Sequence, residues 1–235
     1  MNVYVFDVDG TLTPSRLQID NEFREFFLNW MKDKKVIFVT GSDKEKTIEQ
    51  IGYDVWKSAS ACLQCAGNHI FINEEEIYKL DWTPSEELIN FTIDVVRKSK
   101  YHTKTSNFVE PRIGLLNVSI VGRNCTQKQR EDYFKWDSET GERDLIVNQI
   151  HERFSDMEAS SGGQISIDIH PKGKNKSQAK DWILNKWPNA IIHFFGDKMA
   201  KGGNDFDLAE VLHSPHTNHP VRDWKDTYEK LKTIK

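Results

Sequence analysis

The stretch Val3–Thr13, VYVFDVDGTLT, decides the fold of this chain. Its first residues are β-branched or aromatic, and the run is too short for a helix, so it predicts a buried strand. Asp7 and Asp9 end that strand, and Gly10 follows at once. Side chains at positions i and i+2 share one face of a strand, so both carboxylates should stand together at its carboxyl end. In an open parallel sheet that end borders the ligand crevice, so the stretch predicts a ligand site.

Composition narrows the class of protein. The chain has 235 residues, which suits one domain or two modest ones. A formal net charge of −4 argues against nucleic acid or an anionic membrane as a partner. No apolar run approaches the ~20 residues of a membrane span, and no secretory signal is visible. The 3 cysteines cannot all pair within the chain, which favours a reducing cytoplasm.

The order of the predicted elements indicates an α/β fold with an insertion. Strands and helices alternate in the first part of the chain and again from Ser177, which predicts a Rossmann-like doubly wound parallel sheet. Between these parts the strands alternate in a half-exposed way that suits an antiparallel sheet. We therefore predict an α/β core from residues 1–81 and 174–235. Residues 82–173 should form an inserted α+β cap, with an antiparallel sheet and helices.

A second predicted strand also ends in a carboxylate, because the run HFFGDK places Asp197 at its tip. Adjacent anions need a cation, unless one of them keeps its proton. Asp7, Asp9 and Asp197 offer hard oxygen ligands, which indicates Mg²⁺. The competing interpretation of D-x-D-G as a calcium-binding EF-hand loop fails, because Gly10 stands at loop position 4 rather than 6.

Four short motifs resemble those of the haloacid-dehalogenase-type phosphotransferases: FDVDGTLT, VTGSD, a lysine before a helix, and GDK followed by GGND. Longer stretches resemble the eukaryotic-type α-phosphomannomutases in both the core and the cap. These stretches are FVEPRIGLLNVSIVGRNCTQKQR, SGGQISIDIHPKGKNKS and FGDKMAKGGND. The chain departs from that pattern after the third core strand, where Ala66-Gly67-Asn68 replaces the usual Glu-Asn-Gly.

The resemblance implies roles for the core residues. Asp7 would be the nucleophile, forming an aspartyl-phosphate, and Asp9 would be the general acid and base. Mg²⁺ would be held by Asp7, the backbone carbonyl of Asp9, and Asp197. The phosphoryl oxygens would be held by Lys176 and Ser42, with Thr40 as a further candidate. Arg16 resembles a substrate-contacting arginine of the family.

The resemblance also implies roles for the cap. Arg112, Arg123 and Arg130 match the arginines that bind the distal phosphate, and a guanidinium fork suits phosphate oxygens. Ser166 and Asp168 would bind phosphate and sugar hydroxyls respectively. A homodimer through the cap and a hexose 1,6-bisphosphate activator are implied as well.

Three functions remain open. The first is a Mg²⁺-dependent mutase that interconverts mannose 6-phosphate and mannose 1-phosphate through the bisphosphate. The second is a sugar-phosphate phosphatase that uses the same core steps and passes the phosphoryl group to water. The third is a catalytically silent sensor of sugar phosphates, which the intact set of Asp7, Asp9, Lys176 and Asp197 argues against.

Several motifs also have plain structural interpretations. Ser42 is a candidate cap for the following helix. Asn204 and Asp205 suit a turn as well as a site. Cys62 and Cys65 have the spacing of a metal or redox pair but lack a second pair. Residues 213–219 contain three histidines, but Pro215 within them and Pro220 after them predict a solvated loop.

Overall fold

The computed structural model describes residues 1–234, and the chain divides into two compact units. The first unit comprises Met1–Leu80 and the chain from Lys174 onward, and the second comprises Asp81–Gly173. Each unit contains its own β-sheet, and strands and helices are numbered in chain order. No helix within residues 1–234 is long and apolar enough to cross a membrane.

The sheet of the first unit has the strand order β11-β10-β1-β2-β3-β4-β5. The pairings from β11 to β3 are parallel, and those of β3 with β4 and β4 with β5 are antiparallel. The strands are β1 (Asn2–Phe6), β2 (Lys35–Val39), β3 (Ala61–Gln64), β4 (His69–Ile72), β5 (Glu75–Lys79), β10 (Ile191–Gly196) and β11 (Thr217–Pro220). After β1 the chain adds β2 and β3 on one side of it, and later adds β10 and β11 on the other side. The strand order therefore reverses beside β1, and ligands bind at such a point in sheets of this type.

Helices accompany this sheet on both faces. They are α1 (Asn21–Met31), α2 (Lys44–Ile51), α3 (Tyr53–Ser58), α7 (Gln178–Lys186), α8 (Phe206–Val211) and α9 (Trp224–Thr233). Tyr4 and Phe6 of β1 belong to one buried cluster, and Val3 and Val5 belong to another. Alternate residues of one strand thus enter two separate cores, which explains why its sequence is apolar without interruption. The predicted doubly wound α/β fold is confirmed.

Helix α1 shows why the local sequence forms these elements. The Asp20 side chain accepts hydrogen bonds from the backbone N–H groups of Glu22 and Phe23, which caps the helix. Phe23, Phe27 and Trp30 then follow at helical spacing and are buried against the sheet.

The second unit contains a four-stranded antiparallel sheet of order β6-β7-β9-β8. The strands are β6 (Val109–Arg112), β7 (Leu115–Ser119), β8 (Met157–Gly162) and β9 (Ser166–Pro171), and the helices are α4 (Glu86–Lys98), α5 (Gln127–Thr140) and α6 (Glu142–Arg153). Leu116, Val118, Ile167 and Ile169 lie in its core. Strand β9 thus shows the alternation that was predicted for the strands of the inserted segment. Strand β8 was not predicted, because its sequence MEASSG does not alternate between apolar and polar residues.

The prediction of a solvated loop over residues 213–219 was wrong in its second half. Strand β11 pairs with β10 at the edge of the sheet, and the His219 ring stacks on Phe195 with ring centroids 4.3 Å apart. Burial and the neighbouring His193 lower the pKa of His219 to about 4, so this ring is neutral at pH 7. A four-residue strand ending in Pro220 has too little apolar pattern to be predicted from sequence.

Candidate active site

Three carboxylates meet beyond the carboxyl ends of neighbouring strands. Phe6 of β1 pairs in register with Phe195 of β10, so Asp7 and Asp197 leave the sheet side by side. Asp205, on the loop before α8, joins them. Each of the three offers an oxygen within 4.8 Å of the others. The structure thus brings together Asp7 and Asp197, two of the three predicted aspartates, and adds Asp205, which the strand-end argument did not include.

Lys176 lies between two of these carboxylates. Its Nζ donates to Asp7 Oδ1 at 2.6 Å and to Asp205 Oδ1 at 2.7 Å. Burial disfavours the ammonium, but the charges of Asp205 and Asp7 outweigh it and raise the pKa of Lys176 above its usual value. Burial also raises the pKa of Asp7, with Asp205 and Asp197 adding to the shift and Lys176 opposing it. Lys176 therefore remains a cation among excess negative charge.

The donor set fits a divalent cation. The Oδ2 atom of Asp7 is buried and has no hydrogen-bond partner among the residues described. Burial and nearby Asp205 contribute to a pKa of about 6 for Asp197, although Lys198 lowers it. One ammonium cannot balance these carboxylates, and buried charges need pairing or a metal. Hard oxygen ligands of this kind suit Mg²⁺.

Gly10 permits this close arrangement. Its φ is +86°, and a Cβ atom there would lie 2.4 Å from Asp197 Oδ2. Any other residue would push the Asp197 carboxylate out of position. Steric crowding therefore explains why glycine occupies the position after the paired aspartates.

Asp9 is held apart from the carboxylate cluster. Its Oδ1 accepts hydrogen bonds from the backbone N–H of Arg16 at 2.7 Å and from Gln50 Nε2 at 2.6 Å. Gln50 also donates to Thr13 Oγ1 at 3.2 Å and is buried at the end of α2. Two donors on one oxygen orient the carboxylate, which is what a positioned acid or base requires. Arg16 contributes through its backbone, which adopts a φ of +61°.

Ser42 lies on the loop after β2, the strand beside β1. The helix after it is capped by Asp43, whose side chain accepts from Lys46 N, so the interpretation of Ser42 as the cap was wrong. Ser42 N donates instead to Thr40 Oγ1 at 3.2 Å. The loop is thus fixed by its own polar groups.

A second loop fixes the lysine. Asn68 Nδ2 donates to the carbonyl of Lys174 at 2.9 Å, and Gln178 Nε2 donates to the carbonyl of Ala66 at 2.8 Å. Ala66 has a φ of +60°, an uncommon conformation for a residue with a Cβ. The segment that departs from the family pattern therefore supports the turn that carries Lys176.

The second unit presents a polar face on its sheet. Glu110, Asn117, Asp168 and Ser160 are paired across the strands in register, so they project from one side. Asn117 Nδ2 donates to Asp168 Oδ1 at 2.5 Å. This face carries the predicted hydroxyl-binding residue Asp168, opposite the apolar face that packs on the helices.

Two of the three predicted arginines, Arg112 and Arg123, meet Glu110 of β6 on this face. Arg112 Nε lies 3.0 Å from Glu110 Oε1, and Arg123 Nε lies 3.0 Å from Glu110 Oε2. Arg123 also donates through a terminal nitrogen to Ser166 Oγ at 3.4 Å. Arg130 donates to the backbone carbonyl of Arg123 at 3.1 Å. The structure therefore brings Arg112, Arg123, Arg130 and Ser166 into one connected set.

A buried ion pair supports the turn between β8 and β9. Arg143 Nε donates to Asp137 Oδ2 at 2.7 Å, and the same guanidinium donates to the carbonyls of Gly163 and Ser166. Both members of the pair are buried. The backbone of Ser166 is thus held by a charged group that the sequence analysis did not single out.

Sequence reasoning missed or undervalued three groups that the structure places among the predicted residues. The sequence left open whether Asp205 is a turn residue or a site residue, and it did not single out Gln50 or Glu110. Asp205 carries a readable signal, since it follows GGN after a strand-end aspartate. Gln50 and Glu110 carry none, because isolated polar residues in a helix or a strand are ordinary.

A family model and individual relatives of this chain all point to one family. The sequence model of the family described as eukaryotic phosphomannomutase matches residues 23–235. A phosphomannomutase of Arabidopsis thaliana is 35% identical over 242 residues, covering 99% of this chain and 96% of that protein. One of Dendrobium officinale is 36% identical over 238 residues, covering 98% and 92% respectively.

Solved structures share the fold at low sequence identity. A haloacid dehalogenase-like hydrolase from Bacteroides thetaiotaomicron superposes with a TM-score of 0.62 at 13% identity, covering 100% of this chain and 99% of that one.

Proposed function

The chain belongs to the eukaryotic phosphomannomutase family, and from that membership we propose that it interconverts mannose 6-phosphate and mannose 1-phosphate. One observation favours a mutase over a phosphatase. Besides the carboxylate and lysine cluster of the first unit, the second unit holds Arg112 and Arg123 on one sheet face. A mutase needs two anion-binding sites, because its substrate carries a phosphate at either end in turn.

In the proposed chemistry Asp7 attacks the phosphoryl group and forms an aspartyl-phosphate. Asp9 protonates the departing sugar oxygen and later removes a proton from the hydroxyl that attacks in return. The hydrogen bonds from Arg16 N and Gln50 to Asp9 Oδ1 support this role, because they keep the carboxylate in one orientation. Lys176 would offset negative charge on the phosphoryl oxygens, with Ser42 as a further donor.

Mg²⁺ would be held by Asp7, Asp197 and the Asp9 carbonyl. Asp205 is an additional candidate, because its oxygen lies in the same carboxylate cluster. When bound, the ion supplies charge neutralisation for the transferring phosphoryl group.

In the second unit Arg112, Arg123 and Arg130 would bind the phosphate that is not being transferred. Ser166 would assist them, and Asp168 would accept hydrogen bonds from sugar hydroxyls. A hexose 1,6-bisphosphate would prime the enzyme, because phosphorylated Asp7 must donate before the cycle can run.

Phosphorus NMR tests the proposal directly. The protein is incubated with mannose 1-phosphate, Mg²⁺ and a trace of hexose 1,6-bisphosphate, and the position of the phosphate is followed. We expect the 6-phosphate signal to grow at the expense of the 1-phosphate signal. Free phosphate as the dominant product would contradict the mutase and favour the sugar-phosphate phosphatase.

Replacing Arg123 by alanine tests the second site. We expect kcat/KM for mannose 1-phosphate to fall about 10²-fold, because a charged contact with the distal phosphate is lost. Turnover of p-nitrophenyl phosphate, which has no second end to be held, should change less than about 3-fold by the same reasoning. Arg97→Ala, an exposed arginine of the same unit, is the control. Equal losses on both substrates would contradict the role of Arg123.

A further inference from the structure

Glu110 joins two arginines that the proposed function assigns to one phosphate. It lies in β6, two residues before Arg112, so both side chains project from the same face of the sheet. Arg123 approaches from the segment between β7 and α5. Each oxygen of the Glu110 carboxylate lies 3.0 Å from the Nε atom of one arginine. A negative group at the centre of an anion-binding face calls for an explanation.

We propose that Glu110 is a positioning residue, which orients the guanidinium groups of Arg112 and Arg123 to receive a phosphoryl group of the substrate. The inference rests on the proposed function, which assigns these arginines to a phosphate. It concerns the carboxylate, for which neither the motifs nor the comparisons give a role.

The contacted atoms support this role. An arginine has five N–H donors on a rigid planar group, and Nε is the one beside the aliphatic stem. Holding Nε fixes the plane of the guanidinium, while the two terminal nitrogens form the fork that matches phosphate oxygens. Glu110 therefore fixes the plane of each guanidinium through its Nε atom.

Two effects of the carboxylate oppose each other. Its charge repels an anion, which weakens binding. It also holds two mutually repelling guanidinium groups, whose side chains are only 10% and 14% exposed, in one arrangement. An unheld arginine loses rotamer freedom when a ligand immobilises it, and that loss weakens binding. Because two such side chains are ordered in advance, we expect the ordering effect to prevail over the repulsion.

Equilibrium binding separates the two effects. Mannose 1-phosphate is titrated by calorimetry into Asp7→Asn protein, where no phosphoryl transfer occurs, with and without a substitution at residue 110. We expect Glu110→Gln to raise the Kd about 10-fold, because an amide accepts from only one of the two Nε atoms. Glu110→Asp keeps the charge but shortens the side chain by one methylene. We expect it to raise the Kd about 5-fold by the same loss of orientation.

Glu87→Gln is the matched control, because it removes a carboxylate from another arginine of the same unit, exposed Arg153. Its Kd should stay within about 2-fold of the parent value. An unchanged or lower Kd in Glu110→Gln, or parental affinity in Glu110→Asp, would overturn the inference. Absence of binding in the parent protein would instead contradict the proposed function, so the two failures are distinguishable.

Discussion

Asp7→Asn protein should show at least about 10⁴-fold less turnover of mannose 1-phosphate than the unsubstituted chain, as expected when a nucleophile is removed. An amide oxygen can still accept the hydrogen bond that Asp7 Oδ1 receives from Lys176 at 2.6 Å. The substitution also removes a buried charge beside Asp197 and Asp205. The fold should therefore survive, and the thermal midpoint should shift by less than about 4 °C.

The measurements are initial rates by a coupled assay, thermal unfolding, and calorimetric binding of mannose 1-phosphate. Asp181→Asn, an exposed aspartate in α7, serves as the control and should retain full rates. A silent sensor of sugar phosphates would behave differently, since there would be no turnover to lose in the unsubstituted protein. Retained turnover in Asp7→Asn would contradict the nucleophile assignment.

Lys176→Met should damage both stability and catalysis. The substitution preserves the approximate volume but leaves Asp7 and Asp205 buried without their shared cation. Removing one partner of a buried ion pair costs about 3–5 kcal/mol of unfolding free energy. Because the ammonium would also offset charge on the transferring phosphoryl group, we expect kcat to fall about 10²–10³-fold. Urea unfolding and steady-state kinetics measure the two effects.

A second substitution separates these effects. In the Lys176→Met background, Asp205→Asn removes one of the uncompensated charges and should restore about 1–2 kcal/mol of stability, while kcat stays low. Lys186→Met, at the exposed end of the helix α7 that follows Lys176, is the control for losing a lysine. If Lys176→Met were as stable as this control, the buried ion pair would not hold the site together.

The meeting of Asp7 and Asp197 could be predicted from the sequence for a specific reason. Asp7 and Asp197 directly follow apolar strands, and the carboxyl ends of neighbouring parallel strands meet at one edge of a sheet. Lys176 was identified only through its place before a helix and through the family resemblance. The sequence could not show that its ammonium lies between Asp7 and Asp205, because residues 7, 176 and 205 come from three distant segments.

The same limit applies to the second unit. The alternation in β9 predicted which side of the strand is polar, and Ser166 and Asp168 lie on that side. The register that aligns Glu110, Asn117 and Asp168 is a property of strand pairing, which no single strand encodes.

The hydrophobic periodicity, the glycines at turns and the local motifs were therefore enough to predict the fold class, the place of Asp7 and Asp197 at strand ends, and the polar side of β9. Those features depend on neighbours along the chain, whose spacing the backbone geometry dictates. The partners of Lys176, the two donors on Asp9 and the carboxylate between Arg112 and Arg123 were decided by folding alone. Lys176 lies 169 positions from Asp7 and 29 from Asp205, and Gln50 lies 41 positions from Asp9. Side chains so far apart in sequence meet only when packing brings their strands and loops together.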